Sequence, residues 1–170
     1  MLNIRKISPE DNQALARVIE LVLTEFRADP KTTMLGDPSR FTMYENYRTD
    51  GAVYFVAELD GEIVGGSGIG PLPGVSESIC ELQRMYLMPE ARGKRIGHEL
   101  LERCIEAARD FGYSAIYLET LANMSRAARL YAGFGFRPLK TPLGNTGHPG
   151  CNVWMLLDLH PDERSTNVPL

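Results

Sequence analysis

The stretch from Ile79 to Gly112 constrains the fold more than any other part of the chain. Ile79 to Leu87 reads as a strand that Pro89 stops. Ile96, Leu100, Leu101, Cys104, Ile105, Ala108 and Phe111 then recur at helical spacing until Gly112, a natural residue just past a helix end. Between the two lies PEARGKRIG, residues 89–97, with two glycines and three basic residues. A strand that ends before such a turn and opens a helix presents unpaired N–H groups and the positive end of a helix dipole. Arg92, Lys94 and Arg95 add charge, and Gly93 and Gly97 leave room for an anion to approach the backbone, so the junction reads as a phosphate site. It matches neither GxxxxGK[ST] nor GxGxxG. The alternative is a solvated helix start whose basic residues hold nothing.

Around this junction the pattern alternates between strands and helices. Leu2, Ile4 and Ile7 mark a first strand. Ser8-Pro9-Glu10-Asp11 then resembles a helix start, with Ser8 as N-cap, Pro9 at the first position and Asp11 closing a capping box. Leu15, Val18, Ile19, Val22, Leu23 and Phe26 form one apolar stripe. A loop is expected over 29–39 and a short second helix over 41–47. Val53 to Ala57 and Ile63 to Ile69 form a hairpin about Asp60-Gly61. Gly65, Gly66, Gly68 and Gly70 are expected to weaken its second strand, and Pro71-Leu72-Pro73-Gly74 to end it in a mobile loop. Beyond Gly112, Ala115 to Glu119 is a strand, Met124 to Ala132 a helix, and Phe136 to Leu139 and Val153 to Leu159 are strands. The order is β-α-α-β-β-β-α-β-α-β-β, an α/β (α+β) class in one domain, residues 1–160, with a frayed tail at 161–170.

Composition excludes several functions. A length of 170 residues suits one domain, and no apolar run approaches the roughly 20 residues of a membrane span. The first residues show no secretion signal, so the expected compartment is the cytoplasm. Cys80, Cys104 and Cys151 lack CxxC spacing and are read as reduced thiols. His98 and His160 form no HExxH arrangement, so no metal is expected. A net charge of −4 leaves no extended basic face for nucleic acid.

Two motifs in order give the chain a family resemblance. After the strand and its exit, ELQRMYLMPEA, the run Arg92-Gly93-Lys94-Arg95-Ile96-Gly97 is similar to the [Q/R]-x-x-G-x-[G/A] phosphate loop of the GNAT superfamily of acyl-CoA-dependent N-acetyltransferases. Downstream, LETLANMSRAARLYAGFGF resembles that family's fifth strand and following helix, with Leu130-Tyr131 and Gly135-Phe136 fitting LYxxxGF. The resemblance covers nearly the whole domain. It implies a mixed, mostly antiparallel sheet of about seven strands flanked by about four helices, and transfer of an acetyl group from acetyl-CoA to a primary amine by direct attack in a ternary complex. It also implies a small-molecule or protein amine as acceptor and, by family habit, a homodimer, while charge and composition point to no nucleic acid or membrane partner.

Residue by residue, the resemblance assigns Arg92, Gly93, Lys94, Arg95, Ile96 and Gly97 to the pyrophosphate, and the backbones of Met85, Tyr86 and Leu87 to the pantetheine arm and the oxyanion. Asn123, or its neighbour Met124, falls near an asparagine that contacts the cofactor. Tyr131 takes the place of the general acid that protonates the departing sulfur. An amine with a pKa near ~10.4 is protonated at neutral pH, so a base is needed. Glu81 and Glu119 both stand where members carry a catalytic glutamate, with Glu81 slightly ahead. For either carboxylate the alternative is a strand-end ion pair, and for Tyr131 a tyrosine packed on the core. The loop from Gly144 to Cys151, with His148 as a substrate contact or an alternative base, and the 29–48 region, with Phe26, Tyr44, Tyr47 and Arg48 available, are candidates for the acceptor, the alternative for the loop being a run of turn residues. Arg95 replaces the loop's central glycine, so its side chain must point away or contact phosphate itself. That departure leaves a second reading open, a non-catalytic module that senses acyl-CoA or binds a partner.

Overall fold

The computed structural model describes residues 1–147 and 149–160. Seven strands form one sheet in the order β1-β2-β3-β4-β5-β7-β6. They are β1 (Leu2–Lys6), β2 (Val53–Leu59), β3 (Glu62–Pro71), β4 (Ile79–Leu87), β5 (Ala115–Thr120), β6 (Arg137–Pro138) and β7 (Val153–Asp158). The helices are α1 (Asn12–Glu25), α2 (Met43–Asn46), α3 (Ile96–Asp110) and α4 (Ser125–Gly133). Every pairing is antiparallel except β4 with β5.

Alternation along β2 shows how the sheet is sandwiched. Val53, Phe55 and Ala57 face one side, where Ile96, Leu100, Leu101, Cys104, Ile105 and Ala108 of α3 pack on them. Tyr54 and Val56 face the other, where they meet Leu15, Ile19 and Leu23 of α1 together with Met43 and Tyr47. A third cluster, Leu72, Ala115, Tyr117 and Leu156, closes the far end. Leu72 is therefore buried, and the segment after β3 is anchored to the core where a mobile loop was expected. Pro73 ties it further by accepting a 2.8 Å hydrogen bond from the Asn145 N–H.

The glycines of β3 do not interrupt it, and the strand runs from Glu62 to Pro71. A Cβ on Gly66 would lie 2.5 Å from the Tyr54 ring, and one on Gly68 would lie 2.6 Å from the same ring and 2.9 Å from Tyr47. The bare backbone lets the Tyr47 and Tyr54 rings press against the strand, so packing lost by glycine is supplied by its neighbours. Tyr54 crosses β3 and donates a 2.7 Å hydrogen bond to the Arg84 carbonyl. There β4 is bulged: Gly66 pairs with Tyr86 and Gly68 with Gln83, so Arg84 and Met85 together oppose Ser67. Arg84 takes φ +54°, the left-handed conformation that such a bulge favours.

Other departures are local. The capping box forms, with the Asp11 carboxylate accepting from the Ser8 N–H at 2.8 Å, but it opens a 3-10 turn, Pro9–Asp11, and α1 proper starts at Asn12. Asp11 also receives a bidentate pair from Arg5, which fixes β1 to the helix start. Phe111, expected in the α3 stripe, is the residue just past the end of α3 and is exposed, and Gly112 follows it at φ +81°. The strand expected over 136–139 shrinks to Arg137–Pro138, although the Leu139 N–H still bonds the Trp154 carbonyl. Residues 161–170 lie outside the described residues. Among those described, no helix is long and apolar enough to cross a membrane.

Candidate active site

The parallel pair that joins the two halves of the sheet is short. β4 pairs with β5 only from Ile79 to Glu81, against Ala115 to Tyr117. Beyond Glu81 the two strands part, and the side of β4 that carries Met85, Tyr86 and Leu87 has no strand partner there. This opening divides two spaces. One is a groove of about 600 Å³ lined by Val22, Phe26, Met85, Leu87, the 92–98 turn and the start of α4. The other is a cavity of about 100 Å³ lined by Thr32, Thr33, Met34, Glu81, Glu119, Tyr131 and Cys151 among others. Met85 and Met124 line both.

The groove has a cationic rim. Gly93 holds φ +75° with open space where a Cβ would stand, and Arg95 follows at φ +63° immediately before α3. Left-handed backbone costs a non-glycine residue roughly 1 kcal/mol, so Arg95 sits in a conformation made for glycine. The side chains of Arg95, Arg126 and Arg129 line the groove without a hydrogen bond or ion pair to any described residue. Arg92 differs. Its guanidinium makes a bidentate pair with Glu25 at 2.7 and 2.8 Å, donates to the Leu87 carbonyl at 3.0 Å and lies over the Phe26 ring. Its charge fastens the end of α1 to the strand exit and holds the Glu25 carboxyl below the ordinary range. Lys94 is exposed at the turn, and Ile96 is buried under it. Gly97 brings α3 against Leu87, Met85 and Leu130, each within 3.2–3.4 Å of a Cβ built there. Asn123 reaches back to the Phe26 carbonyl at 3.3 Å and lines the groove with Met124.

The two candidate carboxylates converge on the small cavity by different routes. Glu81 is 4% exposed. Burial pushes its carboxyl up to about 7, with Glu119 adding to the rise, while the Gln83 amide and Arg84 pull it down. Gln83 Nε2 donates to Glu81 Oε2 at 2.8 Å. Glu119, less buried, accepts from the Tyr117 hydroxyl and from Thr146 Oγ1, each at 2.7 Å. Neither glutamate forms an ion pair with a described residue. Tyr131 is buried, which raises its phenol, and its hydroxyl lies 3.5 Å from the Met85 sulfur at the wall shared by groove and cavity.

The acceptor candidates divide. Tyr47 reaches the site by donating to Gln83 Oε1 at 2.8 Å. Phe26 lines the groove instead, and Tyr44 and Arg48 stack on each other away from the cavity. Thr32, Thr33 and Met34, within the 29–48 region expected to serve the acceptor, line the cavity, although no periodicity marks individual residues of a loop. Arg126 and Arg129 were missed. Their three-residue spacing at the start of α4 was the available signal. Of the loop after β6, Thr146 and Cys151 touch the site, whereas His148 lies outside the described residues. Burial pushes the Cys151 thiol up to about 11. Among the described residues no cluster suits a metal.

Residues 15–136 match the acetyltransferase (GNAT) family model. The chain belongs to the GNAT family. It is 42% identical over 158 residues to YjgM, an uncharacterized N-acetyltransferase of Escherichia coli strain K12, covering 92% of this chain and 94% of that one. Its fold resembles an acetyltransferase of the GNAT family from Staphylococcus aureus Mu50, with a TM-score of 0.82, 23% identity and coverage of 94% and 99%. The fold is also shared with yncA of Salmonella typhimurium, solved with its cofactor acetyl-CoA, with a TM-score of 0.73, 22% identity and 94% of each chain covered. The GNAT protein described here is an acetyltransferase of a family that uses acetyl-CoA.

Proposed function

We propose that the protein is an N-acetyltransferase that brings acetyl-CoA and a primary amine together and transfers the acetyl group by direct attack. The observation that carries this reading is the meeting of groove and cavity at Met85 and Met124, beside the Tyr131 hydroxyl. An elongated polyanion fits the groove: three guanidinium groups without a partner among the described residues and the N-terminus of α3 supply positive potential, and the edge of β4 beyond Glu81 supplies hydrogen bonds to an extended amide chain. The donor supplies a thioester carbonyl, activated toward an amine.

Each remaining step falls to a residue of this chain. Glu81, ionised above its midpoint of about 7, takes the proton from the acceptor ammonium directly or through one water. Backbone N–H groups around the bulge at Arg84 and Met85 offer hydrogen bonds to the charge that develops on the carbonyl oxygen. Tyr131, kept protonated by burial, gives its proton to the departing sulfur, whose own basicity rises in the same desolvated space. The Met85 sulfur already accepts from that hydroxyl, so the position suits a sulfur partner. Glu119, held by two hydroxyls, shapes the cavity and favours a cationic acceptor. Three free thiols suit a reducing compartment, consistent with work in the cytoplasm.

Calorimetric titration with acetyl-CoA, followed by thiol release in the presence of amino acids, polyamines, aminoglycosides and peptide N-termini, tests the proposal. Micromolar binding and amine-dependent thiol release are expected. Absence of acetyl-CoA binding would overturn it.

A further inference from the structure

Two side chains that the scheme above leaves unused form a hydrogen-bonded chain ending on Glu81. Tyr47, just after α2, is buried and stacks on Tyr54. Its hydroxyl donates to Gln83 Oε1 at 2.8 Å, and Gln83 Nε2 donates to Glu81 Oε2 at 2.8 Å. Gly70 on β3 leaves room for this carboxamide, since a Cβ there would stand 3.3 Å from Gln83 Oε1.

A carboxamide has one accepting and one donating end, so fixing either end fixes the other. Burial keeps the Tyr47 phenol protonated and therefore a donor. Its O–H holds the amide oxygen and turns the NH2 group toward Glu81. Oε2 of Glu81 is then occupied, while Oε1 carries no hydrogen bond to a described residue.

We propose that Tyr47 and Gln83 are positioning residues that lock Glu81 with Oε2 engaged, leaving Oε1 as the atom that receives the acceptor's proton. In that step the acceptor N–H bond breaks as the Oε1–H bond forms, and the electron pair stays on nitrogen for attack. The inference rests on the reading of Glu81 as the base. Other groups also face this carboxyl: Glu119 and Tyr117 from β5, Cys151 ahead of β7, and Arg84 from β4 itself. None of these is removed by changing Gln83 or Tyr47.

The test is direct titration of Glu81 by carbon-13 NMR in protein labelled at glutamate carboxyls, the resonance being identified by its loss in Glu81→Gln. Gln83→Met removes the N–H donor from a buried carboxylate, so its midpoint should rise by about one unit. Tyr47→Phe keeps the ring but frees the carboxamide to turn, and should give a smaller rise in the same direction. Unchanged acetyl-CoA binding by calorimetry shows that each variant is folded; if Gln83→Met is not, Tyr47→Phe decides. A midpoint that stays in place or falls overturns the proposal. Thiol release with the amine panel separates this outcome from failure of the base reading. Full activity in Glu81→Gln would remove the base role, whereas an inactive Glu81→Gln with an unmoved midpoint in the other variants removes only the positioning role.

Discussion

The groove and the cavity are built from opposite materials. The groove takes its shape from one continuous stretch, the end of β4, the turn at 92–97 and the start of α3, with α4 as its far wall. Its chemistry is positive charge and backbone N–H groups, which depend little on exact side-chain placement. The cavity gathers Thr32 and Met34 from a loop, Glu81 from β4, Glu119 from β5 and Cys151 from a second loop. Its chemistry rests on individual atoms held at 2.7–2.8 Å by Tyr117, Thr146 and Gln83. The groove should therefore yield gradually to mutation, and the cavity abruptly.

The largest expected effect is in the cavity. Glu81→Gln should lower kcat/KM by about 10²- to 10³-fold while leaving the acetyl-CoA Kd unchanged in calorimetry. Equal losses in rate and in cofactor binding would erase the distinction between the two spaces. Tyr131→Phe, at their shared wall, should lower kcat by about 10- to 100-fold, again with acetyl-CoA affinity kept; an unchanged rate would remove Tyr131 as the acid.

Glu81 also makes stability depend on pH. Its folded midpoint, about 7, lies above the ordinary glutamate value of 4.5, so the folded state holds its proton longer than the unfolded chain. Stability from this group is fully present below pH 4.5 and is lost as pH rises through 7. Denaturation of Glu81→Gln should match wild type near pH 4 and exceed it by about 1–3 kcal/mol at pH 8. A constant difference across that window would mean that the carboxyl is not desolvated.

The smallest effect is reserved for the groove. Arg95→Gly relaxes the left-handed turn and should stabilise the fold by up to about 1 kcal/mol. It should also weaken acetyl-CoA binding several-fold, with the loss fading at high salt. Tighter binding in the glycine variant would show that Arg95 obstructs the phosphates.

These two spaces were unequally legible in the sequence. The element order and the basic turn at 92–97 come from local spacing and charge, which periodicity reports, and Tyr131 comes from the family resemblance carried by LYxxxGF. Glu81 and Glu119 could be named as a pair from the resemblance but not ranked by environment, because the 4% exposure of Glu81 and the hydroxyl clamp on Glu119 arise only when β4, β5 and the loop ending at Cys151 converge. Arg92 shows the reverse limit. It sits at a phosphate-loop position, yet Glu25, distant in sequence, engages its guanidinium. The β3 glycines looked like weakness because their compensating partners, Tyr47 and Tyr54, lie on other elements.

The seat of Tyr54 over Gly66 and Gly68 has a consequence for inheritance. The ring's hydroxyl braces the bulge on β4 through the Arg84 carbonyl, so the backbone geometry beside the cavity is secured from β2 across β3. A single-base change that turns either glycine codon into one for alanine, serine or valine would press a side chain into that ring. Such an allele would alter no residue that touches a substrate, yet it would loosen the brace behind the site. Gly66 and Gly68 thus bear on the bulge through the ring of Tyr54.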